Sequence, residues 1–265
     1  MPAHDHNRRA WDERARRGAR FARPASDEEI ARPGDLTDAA GWLGDVRGKR
    51  LLCLAAGGGK HGPLYAAAGA LVTVVDISGE MLALDRQVAA EKRLSLRTVE
   101  ASMDDLAALA DGSFDVVCQP VSTCYVPDVL AVFREVARVL SPGGLYLSQH
   151  KQPASLQAGV DPSPRGYELV EPYYRSGPLS EVVGSLHREP GTLEYLHRWE
   201  ELVGGICRAG FVVEDLVEPL HAKADAPLGS FAHRSRYAAP YVRIKARRTT
   251  AAAPSSGRSL LWSPD

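Results

Sequence analysis

Three consecutive glycines, Gly57, Gly58 and Gly59, stand just after the apolar run Leu51 to Leu54, and Asp76 closes the next apolar run, Leu71 to Val75. Glycines at a strand-to-helix turn let the backbone approach a ligand with no side chain in between. A helix over 60–69 would aim unpaired N–H groups and its positive dipole end at that ligand. An acid at the tip of the neighbouring strand accepts hydrogen bonds from both hydroxyls of a ribose. These residue types point to a nucleoside cofactor with an anionic or carboxylate-bearing part. Gly57-Gly58-Gly59-Lys60-His61-Gly62 also satisfies G-x-G-x-x-G, with Asp76 at the spacing of about 20 residues that dinucleotide binding uses, so an NAD-dependent oxidoreductase is an alternative reading.

For acid–base work the histidines come first. His150 is the leading catalytic candidate because it follows the expected fifth strand, and His187 and His197 come next. No carboxylate cluster asks for a metal. Cys53, Cys118, Cys124 and Cys207 lack C-x-x-C spacing, so reduced thiols, mostly buried, are expected.

The elements that must position these residues follow from hydrophobic patterning. Leu51 to Leu54, Leu71 to Val75, Leu96 to Val99, Phe114 to Cys118, Leu145 to Ser148, Phe211 to Val217 and Tyr241 to Ala246 read as strands. Between them, Ser78 caps a helix reaching about Lys92, and Asp128 caps one with the apolar stripe Val129, Val132, Phe133, Val136, Val139 and Leu140. Leu193 to Ala209 has helical spacing closed by Gly210, and 105–110 reads as a short helix that Asp104 could cap. Residues 5–20, with Trp11 among arginines, form a helix, and 36–43 a short one. Ligands of open α/β sheets bind outside the carboxyl ends of the strands, which puts Gln119 and Pro120 at the site. Residues 152–190 break periodicity with six prolines and the aromatic residues Tyr167, Tyr173 and Tyr174, as an ordered cap over a substrate would.

At 265 residues and 45% apolar, the chain can bury a full core. A formal net charge of −1 gives no field for gathering nucleic acid or anionic membrane. No apolar run approaches the roughly 20 residues of a membrane span, and the polar start has no signal-peptide core, so a cytoplasmic protein is expected.

Four ordered stretches resemble class I S-adenosylmethionine-dependent methyltransferases, of the type 11-like small-molecule kind. They are the glycine loop with Asp76, then Asp76-Ile77-Ser78 with Met81-Leu82, then Gly112 to Val117, and Val139 to Gly144. The likeness covers about 45–150 well and 190–246 more loosely. It departs at Cys53, where an acid is common, and at Ala55, where a glycine is usual and where Ala keeps the turn if its φ is negative. The resemblance implies a Rossmann-like, seven-stranded, mostly parallel α/β sheet with an antiparallel last strand and helices on both faces. It divides the chain into an N-terminal helical lid over 1–44, the methyltransferase domain over 45–246 with the cap at about 152–190, and a disordered tail over 247–265. It implies S-adenosyl-L-methionine as cofactor, held by Ala55, Ala56, Gly57, Asp76, Ile77 and Met81. Ser102, Met103 and Asp104 would lie about the adenine, Gln119 and Pro120 beside the transferable methyl, and Trp11 would close from the lid. The aromatic cap without a dense basic run suits a small-molecule acceptor rather than RNA or DNA. Cofactor chemistry other than methyl transfer, or a non-catalytic binding module, are further alternatives within this fold.

Overall fold

The computed structural model describes residues 2–38, 40–182, 185 and 187–250. Strands β1 (Arg50–Leu54), β2 (Leu71–Asp76), β3 (Leu96–Glu100), β4 (Phe114–Gln119), β5 (Leu140–Lys151), β6 (Phe211–Val217) and β7 (Tyr241–Arg248) form one sheet. Their order is β3-β2-β1-β4-β5-β7-β6. The first five run parallel, and β7 runs antiparallel to both of its neighbours. This is the Rossmann-like α/β architecture that the apolar runs imply. The helices are α1 (Ala3–Arg16), α2 (Asp27–Ala31), α3 (Gly34–Thr37), α4 (His61–Ala67), α5 (Gly79–Lys92) and α6 (Val129–Val139). Short α7 (Pro153–Gln157), α8 (Gly205–Arg208) and α9 (Phe231–Arg234) follow.

Two apolar layers flank the sheet. On one face the stripe of α6, from Val129 to Val139, packs with Leu202 and Ile206 on Leu52, Val117, Tyr146 and Ile244. The helix starts where it does because the Asp128 carboxylate accepts from the Leu130 and Ala131 N–H groups. On the other face Leu43, Val46, Tyr65 and Leu82 cover Leu51, Cys53, Val74, Cys118 and Leu145. Each such aliphatic side chain taken out of water contributes about 1.5–3 kcal/mol. The side-chain alternation of β5 therefore decides which of its residues meet α6 and which look the other way.

Tertiary contacts override two local expectations. Residues 193–197 have helical spacing but run extended, because Tyr195 N–H donates to Cys124 O at 2.7 Å and His197 Nε2 bridges Thr123 O and Val126 O at 3.0 Å each. Helix begins only at Glu200, as a π turn leading into α8. Residues 105–110 form turns rather than a helix. The last strand also continues through Arg248, past the boundary expected at 246. The remainder of the expected tail, 251–265, lies outside the described residues.

The segment after β5 is tied down by buried charge. Lys151, 5% exposed at the end of β5, donates to Glu189 at 2.6 Å and to Glu194 at 3.0 Å. Arg234 of α9, 2% exposed, donates to the carbonyls of Ser155 (2.5 Å), Ala158 (2.7 Å) and Gly159 (3.0 Å) and to the Ser155 hydroxyl (2.9 Å). A cation held only by neutral acceptors loses hydration without a counterion, so the fork of four bonds has to be complete. Arg234→Met should lower unfolding free energy by about 2–3 kcal/mol through carbonyls left buried and unpaired. Urea denaturation checks this, and a loss below about 0.5 kcal/mol, the scale of a surface substitution, contradicts the clamp.

Candidate active site

The loop between β1 and α4 is built from backbone that few residues can adopt. Ala55 has φ 48°, so the negative φ expected for it is corrected: this alanine occupies the left-handed region, at a cost of roughly 1–2 kcal/mol. At Gly58, φ is 121°, and a Cβ would lie 2.8 Å from Phe21 O. Side-chain carboxylates hold this loop in place. Asp76 Oδ2 accepts from Gly57 N–H at 2.9 Å and its Oδ1 from Ser78 N–H at 2.9 Å. From beneath, Asp85 of α5 accepts from Gly58 N–H through Oδ2 at 2.9 Å, and Gly58 N–H is shared with Met81 O at 3.1 Å. Asp85 is fully buried, and its Oδ1 has no hydrogen-bond partner among the described residues.

These acids sit in unusual electrostatic conditions. Burial raises Asp76 to about 6, against the backbone donors of Ser78, Gly57 and Ile77 that favour its ionised form. Burial raises Asp85 to about 7, with the glycine-loop amides again opposing. Cys53, facing the interior from β1, carries a thiol raised by burial and supplies no charge to the loop.

Above the loop lie the N-terminal segments. Ala25 N–H donates to Gly59 O at 2.9 Å, and Asp12 of α1 accepts from the Ser78 hydroxyl at 2.6 Å. Asn7, buried on α1, gives its amide to Tyr125 O (2.8 Å) and Leu193 O (3.0 Å) and accepts from Leu193 N–H (2.8 Å). Trp11 meets Tyr125 edge-on, with centroids 5.4 Å apart. The Tyr125 hydroxyl donates to Glu189 at 2.6 Å, the same carboxylate that pairs with Lys151.

Between these layers runs a cavity of about 610 Å³. Its wall at β1, β2 and α5 is made by Ala55, Ala56, Gly57, Asp76, Ile77 and Met81. Ser102 and Met103 after β3, Gln119 and Pro120 after β4, and Trp11 from α1 complete that part. The structure thus brings together all but one of the residues that the resemblance implied for the cofactor. Asp104 is the exception: it is not in the lining, and its carboxylate turns to His4 Nε2 at 2.8 Å and to the Ser102 hydroxyl. The Gln119 side chain lines the cavity but is spent on Ser122, at 3.0 Å, and on the Tyr146 hydroxyl, at 2.5 Å.

His150 lies elsewhere. Its ring is fully buried against Phe133 of α6, with Nδ1 to the Thr123 hydroxyl and Nε2 to the Ser148 hydroxyl, each at 2.8 Å. Burial, with His197 adding to it, pulls its pKa down to about 3. The catalytic expectation for His150 fails because its ring packs on Phe133 of α6 and is not in the lining, although Ser148 from its own face of β5 reaches the cavity alongside Leu147 and Gln149. His197 is committed to two backbone carbonyls, and His187 stacks on Phe231 at 4.6 Å outside the lining. His61, at the start of α4 and within the G-x-G-x-x-G stretch, does line the cavity. Burial, with Lys60 adding to it, lowers its pKa to about 4, so it is neutral near pH 7. Among the described residues no group of three or more His, Cys, Asp or Glu side chains is placed to hold a metal ion. No described helix is long and apolar enough to cross a membrane.

A sheet of this order, with a glycine loop after β1 and a buried acid ending β2, defines the class I methyltransferase fold. A methyltransferase-domain family matches residues 52–148. A Bacillus subtilis (strain 168) protein named as an uncharacterized methyltransferase, YbaJ, is 34% identical over 80% of this chain and 89% of its own length. A ubiquinone biosynthesis O-methyltransferase of Xanthomonas oryzae pv. oryzae is 36% identical over 44% of this chain, which spans about half of that relative (49%). Among solved structures, an S-adenosylmethionine-dependent methyltransferase from Mesorhizobium loti superposes with TM-score 0.65 at 24% identity, covering 83% of this chain and 100% of that one. The chain belongs to the class I S-adenosylmethionine-dependent methyltransferases. The G-x-G-x-x-G pattern shared with dinucleotide-binding proteins is here part of a methyltransferase loop.

The raised acids set a pH dependence whose sign can be worked out. Folded values of about 6 and 7 exceed the unfolded value of about 3.9, so the native state holds these protons more tightly, and that stability is present below about pH 4 and lost as pH rises through 6 to 7. A ribose hydroxyl pair would find both Asp76 oxygens as acceptors only when the carboxyl group is ionised, and would bond the charged form more strongly. S-adenosylhomocysteine affinity should therefore rise with pH toward about 7, by up to about ten-fold per unit below the Asp76 pKa. Calorimetric titration between pH 5 and 7.5 checks this. The slope should shrink in Asp76→Asn, and an unchanged slope there assigns the titration to another group.

Proposed function

We propose that the protein transfers the methyl group of S-adenosylmethionine to a small molecule held between the N-terminal segments and the carboxyl ends of the strands. Of the expected cap only Glu189, among the described residues, reaches the lining, and Tyr167, Tyr173 and Tyr174 do not. The observation that carries this reading is the single cavity that runs from the glycine loop and Asp76 to the tips of β5 and β7. Asp76 fits a ribose because each carboxylate oxygen takes one backbone N–H and keeps acceptor capacity. Ile77 and Met103 offer apolar faces to an adenine. Arg23, on the segment crossing the loop, supplies a cation for a methionyl carboxylate.

When bound, S-adenosylmethionine supplies a methyl on a sulfonium, already a good leaving group. What this chain's residues contribute is alignment and exclusion of water, which can be worth ~7–11 kcal/mol. Trp11, Phe21 and Tyr125 close the cavity from the N-terminal side and from the loop after β4. The partial likeness to O-methyltransferases of ubiquinone biosynthesis supports a hydroxyl acceptor. Such an acceptor loses a proton on transfer, and His61, an imidazole on the cavity wall, is the side chain we assign to take it, its basicity, lowered by burial, being raised by the oxyanion that develops beside it. Its ring makes no hydrogen bond among the described residues, so the lone pair is available.

Incubation with S-adenosylmethionine and a small-molecule extract, followed by mass spectrometry, should yield a product heavier by one methylene and S-adenosylhomocysteine in equal amount. His61→Gln should lower kcat by about 10²-fold or more, the scale of a lost general base, with S-adenosylhomocysteine affinity nearly unchanged. Methylation of bulk RNA or protein at rates matching any metabolite would overturn the small-molecule reading, and a fully active His61→Gln would remove the base.

A further inference from the structure

The acceptor half of the cavity has an imbalance of charge that the transfer chemistry does not use. Arg20 lines it from the N-terminal segment and Arg243 from β7, while Arg23, assigned above to the cofactor, lines the part beside the glycine loop. Among the described residues none of the three makes an ion pair with a carboxylate. Apart from Asp76 on the cofactor wall, the other charges on the lining are matched: Lys60 pairs with Glu29 at 2.6 Å and Glu189 with Lys151 at 2.6 Å. Asp38 spends its oxygens on the Leu43 and Gly44 N–H groups at 2.8 and 2.9 Å. Arg243 is the fixed member of the three. It stands opposite Gln149 in the β5–β7 register and donates Nε to Gln149 Oε1 at 2.7 Å, which leaves both terminal amino groups of the guanidinium without an acceptor among the described residues. Tyr241 lines the cavity from the same face of β7, and its ring contacts His221 at 5.5 Å.

A half-buried guanidinium held by one neutral amide has lost part of its hydration and gained no counterion. Two free amino groups in one plane match the two oxygens of a carboxylate or phosphate. We propose that the methyl acceptor carries a carboxylate or phosphate group, seated on Arg243 with Arg20 adding charge from above. The idea rests on the methyltransferase reading above and narrows it to anionic acceptors. Arg23, beside the glycine loop, stays with the cofactor.

The test is calorimetric titration of 4-hydroxybenzoate, phenyl phosphate and neutral 4-hydroxybenzyl alcohol into protein saturated with S-adenosylhomocysteine. At least one anion should bind about ten-fold or more tightly than the alcohol, the scale of charge-assisted hydrogen bonds, and the tighter of the two tells carboxylate from phosphate. In Arg243→Met that preference should vanish while S-adenosylhomocysteine affinity stays within about two-fold, since the two subsites are separate. Arg243→Lys keeps the charge but not the fork, so it should retain only part of the preference, and it serves if the Met variant does not fold. The alcohol binding as well as both anions, no measurable binding of any probe, or a preference that persists in both variants overturns the proposal. Titration of S-adenosylhomocysteine alone separates the two levels. If it fails to bind, the methyltransferase reading falls, and if it binds without anion preference, only this inference falls.

Discussion

Everything at this site depends on carboxylates that hold backbone N–H groups of the glycine loop. Asp76 takes Gly57 N–H from the tip of β2, and Asp85 takes Gly58 N–H from within α5. The loop contains a left-handed alanine and two left-handed glycines, a conformation that persists only when its surroundings over-determine it. Buried charge-assisted bonds to amides are short and strong, so two of them offset that strain. The cost appears as raised pKa values of both acids and one unpaired buried oxygen on Asp85. With Cys53 neutral where the family commonly has an acid, Asp85 is the acid that reaches the loop from the protein interior.

The second layer of dependence is the closure of the cavity. A parallel sheet alone leaves its carboxyl edge open to water. Here α1 is joined to the loop after β4 and to residue 193 by Asn7, and to the start of α5 by Asp12. The segment after β5 is joined to the sheet by Lys151 and to α9 by Arg234. Buried ionic and polar ties of this sort add little net stability compared with apolar packing, but they specify one arrangement. One arrangement is what aligning a donor with an acceptor requires.

Most of the sheet was legible because its strands are apolar runs bounded by glycine or polar residues, and parallel strands buried on both faces leave that mark. The cavity wall proposed to hold the cofactor was legible through the order of four motifs. The misreadings each have a physical cause. A strand-end position suggests the ligand edge for His150, yet period-two alternation with Tyr146 puts its ring on the α6 side, against Phe133. Residues 193–197 have helical spacing, but the carbonyls of the loop after β4 outcompete helix for their N–H and imidazole donors. Asp85 carried a signal that went unread: a lone acid among Met81, Leu82, Val88 and Ala89 on the buried side of a helix needs a buried donor. Arg243 had no such signal, since only the β5–β7 register sets it opposite Gln149.

The central claim, that two interior carboxylates hold the glycine loop in its cofactor-binding shape, is tested most directly at Asp85, which is not part of the cavity lining. The measurement is the calorimetric Kd of S-adenosylhomocysteine at pH 7.5 for the wild-type chain and for Asp85→Ala, with circular dichroism confirming that both are folded. The account predicts an affinity loss of ~1.5–3 kcal/mol in the variant, the scale of a charged hydrogen bond, because the loop is then free to leave its strained conformation. A folded Asp85→Ala that binds S-adenosylhomocysteine as tightly as the wild type would contradict it.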